Sequence, residues 1–124
     1  MDQTGIDVSV LSCLLGWSSA LDECRFINDD LSALQEKYPR RLVGLAQAPI
    51  LDGKAALDEL RGAIGDLGLR GVTITSQVNG LPLDSPGLYD LYETVSVLDV
   101  PVFVHPALVP VGYEHLKIMI CRAC

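Results

Sequence analysis

GVTITSQVNGLPLDSPGLYDLYETVSVLDVPVFVHP, residues 71–106, starts and ends on short β-branched runs and carries an amphipathic segment between them. Val72 to Thr75 and Val100 to Val104 each have the composition of a strand buried on both faces. Between them Leu88, Leu91, Tyr92, Val95 and Leu98 fall at i, i+3, i+4, i+7 and i+10, one face of a helix. Ser85 is placed to accept the first orphan N–H groups as N-cap. Pro86 takes the first helical position, where a missing N–H costs nothing. Strand, helix, strand in this order is a right-handed βαβ crossover, which requires the two strands to run parallel.

The pattern continues upstream. Leu42 to Ala46 and Val8 to Leu11 are two further strand candidates. A helix is expected after Asp52, with Leu57, Leu60, Ile64 and Leu67 on one stripe and Gly68 placed to end it in the left-handed conformation. An earlier helix is expected over Leu21 to Lys37, with Leu31, Leu34 and Tyr38 facing inward, and Pro39 stops it. The chain thus reads β-α-β-α-β-α-β, and its strands open at even 29-residue intervals, at Leu42, Gly71 and Val100. Such units build either an open doubly wound sheet or a closed (β/α)8 barrel. A barrel takes about 250 residues and eight strands; the chain supplies half. No linker, repeat or low-complexity stretch divides residues 1–124, which are expected to be one α/β domain.

Composition narrows the functions. The chain has 124 residues, 49% of them hydrophobic, enough for a packed core. Nine Lys and Arg against sixteen Asp and Glu give a net charge of −7, the wrong sign for nucleic-acid phosphates or anionic lipid. No apolar run reaches the roughly 20 residues of a membrane helix, and the first ten residues lack the pattern of a signal peptide. A cytoplasmic protein is expected, with no nucleic-acid or membrane partner. Cys13, Cys24, Cys121 and Cys124 follow no disulfide framework.

In both architectures ligands gather at the carboxyl ends of the strands. The residues there are Ser12 and Cys13, then Gln47, then Ser76, Gln77 and Asn79, and finally His105. Only His105 both ligates metals well and titrates near neutrality. Pro106 ends its strand and projects the imidazole into the mouth of the site. The alternative is a strand-end histidine bonded to a neighbouring backbone group. His115 reads as a solvated tail residue. The C-x-x-C of Cys121 and Cys124 has neither the strand–helix context of a redox pair nor two further zinc ligands. Glycine-rich phosphate loops and the G-x-S-x-G elbow are absent. Asp29 with Asp30, and Asp58 with Glu59, read as solvated surface charge.

In linear order the chain resembles the amidohydrolase-related metal enzymes of the aminocarboxymuconate-semialdehyde decarboxylase type. The matching stretches are DVSVLS (7–12), FINDDLSALQEKYPRRLVGLAQAPI (26–50), ALDELRGAIGDLGLRGVTITSQVNGLPLDSP (56–86) and PVFVHP (101–106). Within them the ordered set Asn28-Asp29, Pro39-Arg40-Arg41, Leu83-Asp84 and His105-Pro106 carries the resemblance, which spans Asp7 to Pro110. It implies a distorted (β/α)8 barrel of which this chain holds strands 2 to 5, and one divalent metal, often zinc. The family's ligands are an His-x-His on strand 1, a histidine ending strand 5, matched by His105, and an aspartate ending strand 8. Leu83-Asp84 would stabilise the loop before the next helix, and Asn28 would hold structure. The implied chemistry is non-oxidative decarboxylation of an unsaturated or aromatic carboxylic acid, or hydrolysis. The metal orients substrate and activates water, and a further histidine moves a proton.

The departures bear equally on function. The sequence contains no His-x-His, no catalytic histidine after strand 5 and no terminal aspartate, so one family ligand of four is present. After Lys117 the ending EHLKIMICRAC leaves the pattern, and residues 117–124 are expected to be an aberrant tail from a shifted frame or early truncation. The first expectation is therefore a fragment of a metal-dependent decarboxylase or hydrolase, inactive alone, with an incomplete metal site. The second is a non-enzymatic half-barrel whose unpaired edges lead to homo-oligomers. The third is a small doubly wound domain binding an anion, for which strand order would reverse mid-sheet.

Overall fold

The computed structural model describes residues 1–13 and 20–106. Its regular elements are β1 (Ser9–Leu11), α1 (Leu21–Lys37), β2 (Leu42–Gly44), α2 (Lys54–Gly65), β3 (Val72–Thr75), β4 (Gln77–Val78), β5 (Leu81–Pro82), α3 (Tyr89–Leu98) and β6 (Val102–His105). His115, Cys121, Cys124 and the expected aberrant tail lie outside the described residues.

β1 pairs with β2 and β3 with β6, both in parallel, and a parallel bridge between Ala46 and Val72 joins the two pairs. Around that bridge Ala46 N donates to Gly71 O at 2.8 Å and Thr73 N donates to Ala46 O at 2.9 Å. The spatial order β1-β2-β3-β6 thus follows chain order, with a helix between each strand and the next. A doubly wound sheet reverses this order at its switch point, and no reversal occurs among the described strands. The arrangement is that of a sector of a (β/α)8 barrel.

The core lies between the sheet and its helices. Ala46, Val72 and Ile74 face Ala56, Leu57, Leu60 and Ala63 of α2 and Leu91 and Val95 of α3. Leu60, Ile74, Leu88 and Leu91 are fully buried, and each such side chain is worth about 1.5–3 kcal/mol relative to exposure. Pro86 opens a short 3-10 turn, Pro86–Leu88, before α3, and Ser85 Oγ accepts from Gly87 N at 3.3 Å, so the expected cap operates on that turn. α2 ends at Gly65, and Gly68 follows in the left-handed region at φ 69°.

Three expectations are corrected. α1 has the expected bounds, but its inward stripe is Cys24, Asn28, Leu31 and Ser32, while Leu34 and Tyr38 are exposed. The helix is turned because its inner face carries polar bonds: Ser32 Oγ donates to Leu67 O at 2.8 Å, and Gln35 bridges Gly68 O and Gly44 N. β6 is not buried on both faces, since it has one described neighbour, and Phe103 is 49% exposed. The other edge behaves likewise, with Val10 of β1 60% exposed. Finally, the β4–β5 hairpin was not expected. Asn79 (φ 49°) and Gly80 (φ 82°) form its two-residue turn, the Asn-Gly pairing that such turns favour.

Candidate metal-binding strand ends

Alternation along the strands sorts the residues at the carboxyl end of the sheet. Val72 and Ile74 belong to the helix-side core, so Thr73 and Thr75 point to the opposite face, the interior of a barrel. Register carries this to β6, where Thr73 pairs with Phe103 and Thr75 with His105. Gln47 and Thr73 each follow the bridged Ala46 and Val72 by one residue and share the interior side.

His105 is the last residue of β6 rather than the first beyond it. Its carbonyl accepts from Ser76 N at 2.8 Å, which ties the strand end to the loop after β3. Its Nδ1 lies 3.0 Å from Pro106 O. An imidazole protonated at Nδ1 donates there and keeps its lone pair on Nε2, the tautomer that a metal takes. The backbone contact and the ligand role, opposed as alternatives in the sequence, are therefore compatible.

The other strand-end residues divide sharply. Ser12 and Asn79 are exposed; Cys13, Ser76 and Gln77 are half-buried; Gln47 is wholly buried. Thr75 Oγ1 donates to Gln77 O and turns the chain into the hairpin. Gln47 is held from behind. Asn28 Nδ2 donates to its carbonyl at 2.9 Å, Gln47 N donates to Asn28 Oδ1 at 3.0 Å, and Asn28 Nδ2 also reaches Glu59 Oε1 at 2.9 Å. Asn28 thus holds structure, as expected.

Glu59 corrects the expectation of a solvated charge. It is largely enclosed and also accepts from Arg25 Nε at 3.2 Å. Its neighbour Asp58 does face solvent, and Lys54 and then Arg61 hold its carboxyl below the usual range. Cys24, buried beside this network, has its thiol pushed up to about 11, chiefly by desolvation and then by the charge of Glu59. That environment disfavours thiolate and with it metal ligation. Leu83 O accepts from Tyr92 OH, which pins the loop before α3 where Leu83-Asp84 was expected to act.

No group of three His, Cys, Asp or Glu that could hold a metal occurs among the described residues. His105 fits one coordination position, and the described residues do not complete a site. No described helix is long and apolar enough to cross a membrane.

A run of consecutive parallel βα units in chain order defines a class, the (β/α)8 barrels. Residues 14–119 match the amidohydrolase family model, and the chain belongs to this family. It is 34% identical over 113 residues to 2-amino-3-carboxymuconate-6-semialdehyde decarboxylase from Dictyostelium discoideum, covering 86% of this chain and 32% of that protein. Among solved structures, it superposes on 2,6-dihydroxybenzoate decarboxylase in complex with 2,6-dihydroxybenzoate. The TM-score is 0.75 at 30% identity, covering 86% of this chain and 37% of that one. A dihydroxybenzoic acid decarboxylase from Polaromonas sp. JS666, with bound manganese and the inhibitor 2-nitroresorcinol, gives a TM-score of 0.76 at 29% identity, covering 99% and 40%. The chain therefore spans roughly a third of the length of these relatives, and the fold is a partial (β/α)8 barrel.

Proposed function

We propose that this chain forms one wall of a divalent-metal site for non-oxidative decarboxylation of a small aromatic or unsaturated carboxylic acid, with His105 as one ligand. The observation that carries this is the position of His105: last residue of β6, in register with Thr75, on the interior face. The related decarboxylases favour decarboxylation over hydrolysis, and the manganese in the Polaromonas structure favours a divalent metal without selecting zinc. A bound divalent ion orients a carboxylate and polarises water. The chain's own residues present the imidazole, fix its tautomer through Pro106 O and anchor the strand end through Ser76 N.

Alone, the chain binds metal weakly and turns over no substrate, because His105 is the one strand-end histidine among the described residues. Titrating the chain with Mn²⁺ by electron paramagnetic resonance, alongside His105→Ala and a 2,6-dihydroxybenzoate turnover assay, tests this. Weak binding that His105→Ala abolishes, without carbon dioxide release, is the expected result. Tight stoichiometric Mn²⁺ or Zn²⁺ that survives His105→Ala would overturn it. A second reading, homo-oligomeric assembly through the open sheet edges, draws on the exposure of Val10 and Phe103.

A further inference from the structure

Gln47 is 0% exposed and Thr73 1% exposed, yet among the described residues Gln47 Nε2, Gln47 Oε1 and Thr73 Oγ1 have no hydrogen-bond partner. Buried polar side chains are normally paired, and leaving them unpaired is destabilising, so three such atoms on neighbouring strands point to a missing partner. The Asn28 bonds fix the Gln47 backbone, which leaves its side-chain amide committed to the interior face.

The layers above and below show where a partner can arrive. One layer toward the amino ends of the strands, Leu45 and Pro101 close over Gly71 so tightly that an added Cβ would lie 2.9 Å from Leu45 Cδ2 and 3.0 Å from Pro101 O. That layer is closely packed around Gly71. One layer toward the carboxyl ends, Thr75 stands beside His105. Both side chains are enclosed, so a partner that approaches from the mouth, past His105, must displace what covers them.

We infer that Gln47 and Thr73 form a polar floor beneath His105 that binds a ring hydroxyl of a hydroxy-aromatic acid. This assignment rests on the proposed function and adds to it a determinant of substrate choice. The chemistry selects a hydroxyl. Gln47 offers both a donor and an acceptor, and the Thr73 hydroxyl can serve as either. A phenolic hydroxyl also donates and accepts, so it satisfies both side chains. A carboxylate only accepts, and would leave Gln47 Oε1 facing an oxygen.

Calorimetry on the full chain, with Mn²⁺ present and absent, tests the floor by comparing 2,6-dihydroxybenzoate with benzoate. The wild type should prefer the dihydroxy acid, and Gln47→Leu and Thr73→Val should each reduce that preference about tenfold or more. Thr73→Val deletes an unpartnered hydroxyl while keeping the shape, so its melting temperature should hold or rise as its selectivity falls, a combination that a purely structural role does not produce. The Gln47 side-chain amide resonance, assigned by its loss in Gln47→Leu, should shift with dihydroxybenzoate and stay still with benzoate, which keeps the test valid if a variant misfolds. Mn²⁺-dependent binding indifferent to both substitutions would overturn the floor and leave the metal ligand standing. Selective binding indifferent to Mn²⁺ would do the reverse, and binding of neither acid to the wild type would overturn the floor.

Discussion

Asn28 on α1 and Gln47 beyond β2 exchange two hydrogen bonds through one side chain, Nδ2 donating to the Gln47 carbonyl and Oδ1 accepting from the Gln47 N–H. A primary amide has the same donor and acceptor as a peptide group, so Asn28 supplies the rung that a neighbouring strand would have made. Asn28→Leu should destabilise the fold by about 2–5 kcal/mol, since it strands the buried Gln47 N–H and C=O and removes the donor to Glu59 Oε1, leaving that carboxylate only Arg25. Urea unfolding measures this. A loss below 0.5 kcal/mol, on the order of a neutral surface change, would show the clamp to be idle. Asn28→Asp should be worse than Asn28→Leu near neutrality, because it sets a carboxylate against Gln47 O and Glu59.

Gly71 and Gly44 are both close-approach positions, with different neighbours. A Cβ on Gly44 would lie 2.6 Å from Leu69 Cδ2, the far end of a side chain, whereas on Gly71 it would also meet the Pro101 carbonyl at 3.0 Å. Leu69 can change rotamer, which leaves Leu31 Cβ at 3.2 Å, whereas the Pro101 carbonyl is held by Val72 N. Both Ala variants should lose about 1–3 kcal/mol, with Gly71→Ala at the upper end. Paired denaturation curves check the order.

Cys24 makes stability depend on alkaline pH in a known direction. Its thiol is raised from 9.0 to about 11 in the folded chain. The unfolded thiol therefore ionises first, and the associated stabilisation, complete below pH 9, is lost as pH rises through 11. Wild type and Cys24→Ala should show converging unfolding midpoints across that window. Ellman's reagent at pH 8 should find Cys24 unreactive until the chain unfolds.

Exposed sheet edges predict association. Phe103 and Val104 on β6 and Val10 on β1 present exposed apolar side chains on strands that each have one described neighbour. Sedimentation should show the wild type associating at tens of micromolar, roughly where exposed strand edges begin to pair, and Phe103→Glu should shift it toward monomer. A wild type that stays monomeric there removes the assembly reading.

The parallel order of the fold is written in the repeated strand–helix spacing, and α1 was legible to the residue because Pro39 fixes its end. Its rotation was not. Helical periodicity weighs Leu34 and Tyr38 above Asn28 and Ser32, but the inner side of α1 faces open backbone groups at Gln47 and Leu67, which a polar side chain satisfies and a leucine cannot. Glu59 reads as solvated charge in the sequence for the same reason, since its partner Asn28 is 31 residues away. The hairpin left a signal in Asn79-Gly80 that two-residue strands are too short to reinforce. At the site, His105 stood out by its place at the end of a strand and by its chemistry. Gln47 looked ordinary, because burial without a partner is a property of three dimensions.

The Asn28 rung also imposes an order of assembly. β2 cannot finish its last hydrogen bonds until α1 has docked, whereas Ser9–Leu11 can zip against Leu42–Gly44 by strand contact alone. The rim that carries Gln47 should accordingly be the late-forming, first-opening part of this sheet. Deuterium should then reach the Gln47 amide before it reaches Val43, which would make the end proposed to meet ligand the first to open.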